Sequence, residues 1–235
     1  MIVAERARPD APGSGVMYGS YLAEVVSVND PDSKARVQVR LLGFDGMGAQ
    51  DGPMWARVAV PFAGATRGAF FIPDKGDEVV VQFVNGDPRQ PLVFGGVWNG
   101  NDTPPETLGG SKEAVDRWTI VGKAGTRIAI VEEQSGQEKI TLTTPQSQVS
   151  AEFTQASGGK IEFKAAQCTV TIDSQGVKVQ TAAKVSVQGS TVEVQAGSVT
   201  VNAGISKFSG IVKCDVLQAT TVIASVYTPG AGNIW

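Results

Sequence analysis

Histidine is absent from all 235 residues of the chain. No imidazole can therefore serve as a metal ligand, a triad base or a pH switch, which removes the commonest acid–base side chain from any catalytic reading. Cysteine occurs only at Cys168 and Cys214. Two such distant thiols make neither a disulfide framework nor a CxxC metal or redox motif, so both are expected to be reduced and buried. Long apolar runs are also missing. The opening "MIVAERARPDAPGSG" has no stretch long enough for a signal peptide. The final twenty residues carry no side-chain charge, but Gln218, Thr220, Thr221, Ser225, Thr228 and Pro229 break them up, and nothing approaches the roughly 20 apolar residues of a membrane span. The expectation is a chain with neither a signal peptide nor a transmembrane segment. Charge is sparse at 18%, and it is acidic in front (net −5 over residues 1–116) and weakly basic behind (+2 over 117–235). Neither part is basic enough for a nucleic-acid binder.

What is present is β grammar, in two dialects. Residues 1–17 read as a flexible arm rich in Pro, Gly and Ala. Between Gly19 and Trp98 the runs "YLAEVVSV", "ARVQVRLL", "MWARVAVPF", "DEVVVQFV" and "PLVFGGVW" are separated by the turn clusters "NDPDSK", "PDKG" and "NGDPRQ". About five short β-branched runs at this spacing, within about eighty residues, predict a small OB-type barrel over 18–98. Residues 99–116, "NGNDTPPETLGGSKEAVD", have the composition of a linker.

Beyond Arg117 apolar residues come in pairs two apart: Ile128/Ile130, Ile140/Leu142, Ile161/Phe163, Val170/Ile172, Val177/Val179, Val185/Val187, Val192/Val194 and Val199/Val201. From Val170 the pairs begin seven or eight residues apart, with Gly176, Gly189, Gly197 and Gly204 between them. This is an internal repeat, and each i, i+2 pair marks a short strand with one buried face. Two inward side chains per strand do not enclose a core in one chain, and two sheet edges would stay open. Three chains wound about one axis close both the core and the edges. The expectation for 117–235 is an intertwined homotrimeric β-helix, or β-prism, with Val170, Ile172, Val177, Val179, Val185, Val187, Val192, Val194, Val199 and Val201 in the trimer core. Cys168 and Cys214 share the parity of their valine neighbours and are expected to face the same axis.

Several fragments of chemical motifs resolve into turns. "GKAGT" at 122–126 lacks the rest of a phosphate loop. "NDPDSK" lacks the distal bidentate glutamate of a calcium loop. Glu132 and Glu133 are adjacent, so a strand points them to opposite faces. No catalytic residue, cofactor or metal is expected, and the chain is read as a non-enzyme.

The stretch "GVMYGSYLAEVVSVNDPDSKARVQVRL", followed by "WARVAVPFAGATRGAFFIPDKGDEVVVQFVNGDPRQPLVFGGVWNG", resembles the OB domain of phage baseplate assembly protein V and of VgrG-type spike proteins. The resemblance covers 18–106 closely and the repeat region in style. It implies the central spike of a contractile injection system (phage tail, tailocin, extracellular or type VI-like), assembled in the bacterial cytoplasm and carried in the baseplate of a virion or injection particle. OB domains would dock on a separate hub protein, with Trp55 and Trp98 as hub-facing candidates, and the shaft would puncture the target envelope. Some short spikes of this family end in a histidine-held iron apex, which this sequence cannot form. The resemblance then implies a blunt end where Tyr227, Pro229, Ile234 and Trp235 dock a PAAR-type tip protein. The alternative is a non-enzymatic binding module: a receptor-binding tail fibre, or an OB protein for oligonucleotides or sugars.

Overall fold

The computed structural model describes residues 15–44, 52–111 and 113–226. Its contacts divide the chain into two units, one up to Lys184 and the other from Val185.

The first unit opens with a closed barrel. Its strands are β1 (Tyr21–Ser27), β2 (Val37–Leu41), β3 (Met54–Val58), β6 (Glu78–Phe83) and β7 (Pro91–Gly96), in the order β1-β2-β3-β7-β6. A separate two-stranded hairpin, β4 (Ala63–Gly64) with β5 (Arg67–Gly68), lies between β3 and β6 in sequence. The ladders are antiparallel except β3 with β7, where Arg57 faces Leu92 and Val58 faces Val93 in parallel. Strict alternation explains the closure. Ala23 and Val25, Val37, Val39 and Leu41, Ala56, Val79, Val81 and Phe83, and Val93 point inward and form one buried cluster. Six of its valines are completely buried, each worth about 1.5–3 kcal/mol relative to exposure. Irregularities in register at Val25/Ser27 and at Val80/Val81 bend the strands round a small circumference. Tyr21 packs against Phe44 and, edge-on, against Phe83. The all-β class and the five-stranded N-terminal barrel are as the sequence leads one to expect.

The turn "NDPDSK" is built on Asp30. Its carboxylate accepts from the backbone N–H groups of Asp32 (3.0 Å), Lys34 (2.8 Å) and Arg36 (3.2 Å), and from Arg36 Nε and Nη2 (3.1 and 2.6 Å). Its side chain is only 4% exposed. The Arg36 guanidinium holds the Asp30 carboxyl well below the usual range and also stacks over the Trp55 ring at 5.6 Å.

A seven-stranded antiparallel meander follows: β8 (Arg117–Val121), β9 (Arg127–Val131), β10 (Lys139–Thr143), β11 (Val149–Thr154), β12 (Lys160–Ala165), β13 (Cys168–Asp173) and β14 (Gly176–Gln180). Each strand pairs with its sequence neighbours. The "GKAGT" stretch is the β8–β9 turn, with Gly122 N–H donating to Thr126 O and Gly125 N–H to Gly122 O.

The second unit differs in kind. Among its described residues, 185–226, no strand forms and every residue is exposed. The repeat that reads as uniform from Val170 onward is thus divided. Its first two pairs lie in the β13–β14 hairpin, while the pairs at 185, 192 and 199 find no ladder within their own chain.

Candidate functional site

Register in the meander converts the paired residues into two continuous rows on one face. One row runs Trp118, Ile130, Ile140, Phe153, Ile161, Ile172, Val177 across β8 to β14. The other runs Ile120, Ile128, Leu142, Ala151, Phe163, Val170, Val179. Directly opposed side chains of a ladder support one another, and Phe153 meets Phe163 edge-on at 6.2 Å between centroids. Among the described residues of one chain, nothing covers this face fully. Trp118, Ile120, Ile128, Ile140, Phe163 and Val179 stand 43–58% exposed, with exposed Val177 at the last strand. Shallow open grooves run along the face, one lined by Ile130, Ile140, Phe153, Ile161 and Ile172, the other by Ile128, Leu142, Ala151, Phe163 and Val170. A contiguous apolar surface of this extent is the mark of an interaction site.

The opposite face is polar. Thr141, Glu152, Glu162, Thr171 and Lys178 face one another across successive strands. Glu162 is flanked by Lys164 (2.6 Å) and Lys160 (3.4 Å), and Lys164 above all holds its carboxyl below the ordinary range. At the β8–β9 end lies an ionic cluster. Glu106 accepts from Arg117 Nη1 at 2.7 Å and from Arg127 Nε, Arg117 also reaches Glu133, and Arg127 Nη1 donates to Thr141 Oγ1 at 2.9 Å. The two guanidiniums, Arg127 first, hold the Glu106 carboxyl down.

Of the core candidates, Val170, Ile172, Val177 and Val179 all lie on the apolar face. Val185, Val187, Val192, Val194, Val199 and Val201 are 58–73% exposed in the single chain. Cys168 is likewise exposed and its Sγ lies 2.9 Å from Thr181 Oγ1, and Cys214 is exposed. Burial of these thiols and valines is therefore not achieved by one chain. Trp98 is 66% exposed, whereas Trp55 lies within β3, half-buried beneath Arg36. Tyr227, Pro229, Ile234 and Trp235 lie outside the described residues. Two members of the apolar rows escape a search for branched pairs. Trp118/Ile120 opens with an indole, and Ala151/Phe153 opens with a methyl. The Glu106 cluster also escapes, because its partners are 11 and 21 residues away. Exposed Phe62, Phe70 and Phe71 flank the β4–β5 hairpin, another feature not singled out by spacing. Among the described residues no group of His, Cys, Asp or Glu could hold a metal, and no helix is long and apolar enough to cross a membrane.

The family described as the Type VI secretion system/phage-baseplate injector OB domain matches residues 21–98, the span of the closed barrel. Residues 21–98 are similar to an injector OB domain. Among known relatives, the chain is 38% identical over 96 residues to the actin cross-linking toxin VgrG1 of Vibrio cholerae, covering 40% of this chain and 9% of that protein. It is 38% identical over 89 residues to the type VI secretion system spike protein VgrG3 of Vibrio cholerae, covering 37% of this chain and 9% of that protein. To the spike protein VgrG4b of Pseudomonas aeruginosa it is 35% identical over 112 residues, 46% of this chain and 14% of that protein. The chain thus spans no more than about a seventh of the length of these relatives. The OB-domain match and these similarities support a baseplate spike of a contractile injection system.

Proposed function

We propose that this chain is the piercing central spike of a contractile injection particle, acting as a homotrimer and carrying out no covalent chemistry. The observation that carries the proposal is the apolar face of the meander. Fourteen side chains form two unbroken rows, most of them exposed on one chain, in the sheet that follows the barrel matched by the injector OB-domain family. Three copies with these faces turned to a common axis would bury both rows at once. The valine pairs from Val185 to Val201 continue the same apolar pattern, and their backbone N–H and C=O groups need partners that neighbouring copies would supply. Val170, Ile172, Val177, Val179, Val185, Val187, Val192, Val194, Val199 and Val201 are the proposed trimer core.

In this reading residues 18–98 dock on a separate hub and residues 117–235 form the shaft. Trp98 is the better hub-facing candidate, since its ring is open while that of Trp55 is engaged by Arg36. Work comes from contraction of the particle, and the protein supplies shape and stiffness. The end of the chain, with Tyr227, Pro229, Ile234 and Trp235, is proposed to dock a PAAR-type tip. Assembly in the bacterial cytoplasm and transient contact with a target envelope belong to the same proposal. The acidic front half disfavours an oligonucleotide-binding role for the barrel.

Light scattering tests the reading. The expected mass is about three times the 24.5 kDa chain, and a monomer at micromolar concentration would overturn it. Deleting 227–235 is expected to leave the trimer intact and abolish binding of a tip protein.

A further inference from the structure

The segment between barrel and meander has the composition of a loose linker, yet most of it is built into one neighbour or the other. On the barrel side, Asn99 Nδ2 donates to Glu78 Oε2 at 2.9 Å, and Asn99 Oδ1 accepts from the backbone N–H groups of Asn101 and Asp102 at 3.1 and 2.9 Å. On the other side, Glu106 is gripped by Arg117 and Arg127, all three side chains being a quarter exposed or less. The backbone then folds back on itself. Asp116 N–H donates to Leu108 O at 2.9 Å, and Glu132 N–H donates to Asp116 O at 2.8 Å, which ties the fold-back to the end of β9. Gly109 and Gly110 make the reversal possible. Their φ angles are +81° and +28°, and a Cβ on Gly110 would lie 2.0 Å from Asp116 Oδ2.

Only Thr103, Pro104 and Pro105 are left between these two anchored parts, and all three are exposed. The prolines have no N–H to donate and fix φ near −65°, and each restricts the residue before it. With φ fixed and ψ still free to turn, the diproline is a short semi-rigid joint rather than a flexible tether. Among the described residues an ion pair spans the joint directly, Lys123 in the β8–β9 turn with Asp74 in the barrel. Its lysine is 88% exposed, so salt screens it readily.

We infer that the barrel articulates on the meander at Thr103–Pro104–Pro105, and that residues 106–111 and 113–116 form a strap belonging to the meander, locked by Glu106 between Arg117 and Arg127. The use of this joint rests on the spike reading. The barrel adjusts its seat on a hub about a three-residue strut, while thrust enters the shaft through the strap rather than through a loose chain.

Hydrogen exchange on the full-length protein tests the assignment. The amide of Asp116 is expected to be protected like those of β9, and that of Thr103 to exchange freely. Glu106→Gln removes the charge that grips both arginines and is expected to speed exchange at Asp116 and Glu132 by about tenfold or more, with Val81 in the barrel unchanged. Gly110→Ala leaves every charge in place and is expected to open the same amides, because an alanine is strained at φ +28° and displaces the Asp116 side chain. Wild-type Asp116 exchanging as fast as Thr103 overturns the strap, as does unchanged exchange at Asp116 in both variants. The mass by light scattering is read on the same samples. A monomer with the expected exchange pattern would refute the spike reading and leave the joint standing.

Discussion

The barrel and the stretch from Val185 to Val226 use the same alphabet of valines two residues apart, with opposite results. In the barrel Val37 and Val39, or Val79 and Val81, are completely buried, because five strands curl until the first and last elements of the sheet pair. Among the described residues beyond Lys184, Val192 and Val194 are 58% and 71% exposed and no strand forms. The meander lies between the two. Its ladders are complete within one chain, but its apolar face is not covered. Alternation determines which side of a strand is apolar, and closure determines whether that side is buried. A barrel obtains closure from its own edges. An open sheet, or a strand with no neighbour, needs cover from elsewhere, which the proposed trimer would supply.

The comparison breaks first, and most severely, at Val194. Val194→Asp would set like charges against one another in the proposed core, at a desolvation cost of several kcal/mol per ion. Loss of the trimer by light scattering is expected, with the barrel's near-ultraviolet circular dichroism retained. Soluble trimers of normal melting temperature would place Val194 outside the core. A smaller effect is expected at Phe163, 43% exposed in the single chain. If assembly buries it, Phe163→Ala costs about 3–5 kcal/mol in the trimer. The melting temperature should then fall with a strong dependence on protein concentration. In the barrel the sign of the test reverses. Val81→Ala should cost about 2 kcal/mol whatever the state of assembly, because the cavity lies wholly within one chain. Its melting shift should not depend on concentration.

These differences also mark what can be read from sequence. The barrel strands are legible because Val37, Val39 and Leu41, or Val79, Val81 and Phe83, alternate cleanly between clusters of turn residues. The pairs in the meander are legible for the same reason. The place where self-pairing stops is not. Val177/Val179 and Val185/Val187 look alike in sequence, yet only the first pair has a hairpin partner within reach, in β13. The strap is hidden for a different reason. Glu106, Arg117 and Arg127 meet through the turn of Gly109 and Gly110 and the pairing of β8 with β9, so no local period records them. The aromatic surface around the β4–β5 hairpin is likewise obscured, because Phe62, Phe70 and Phe71 sit among small residues in no alternation.

The smallest effects concern charge. The Glu106 carboxyl titrates below its ordinary value because Arg127 and Arg117 favour its ionised form. Such a group contributes stability above its unfolded pKa, and the contribution is lost as pH falls through the depressed folded value. Protection of the Asp116 amide should therefore be flat near neutrality and decline only at acidities below the normal glutamate range. In Glu106→Gln that acid-dependent decline should disappear.

Lys123→Gln should be milder still. Lys123 bonds Asp74 and draws that carboxyl below its usual value, but the lysine side chain is 88% exposed. Exposed pairs lose most of their attraction to water and salt, and two freely moving side chains gain entropy when released. No change in melting temperature is expected. Lys123 and Asp74 nevertheless flank the strut, so the readout to follow is the relative motion of barrel and meander, by spin labels placed on each. Lys123→Gln at low salt should resemble the wild type at high salt. If the variant instead melts early, the pair supports the fold itself, and the barrel is not as independent of the meander as its closed core implies.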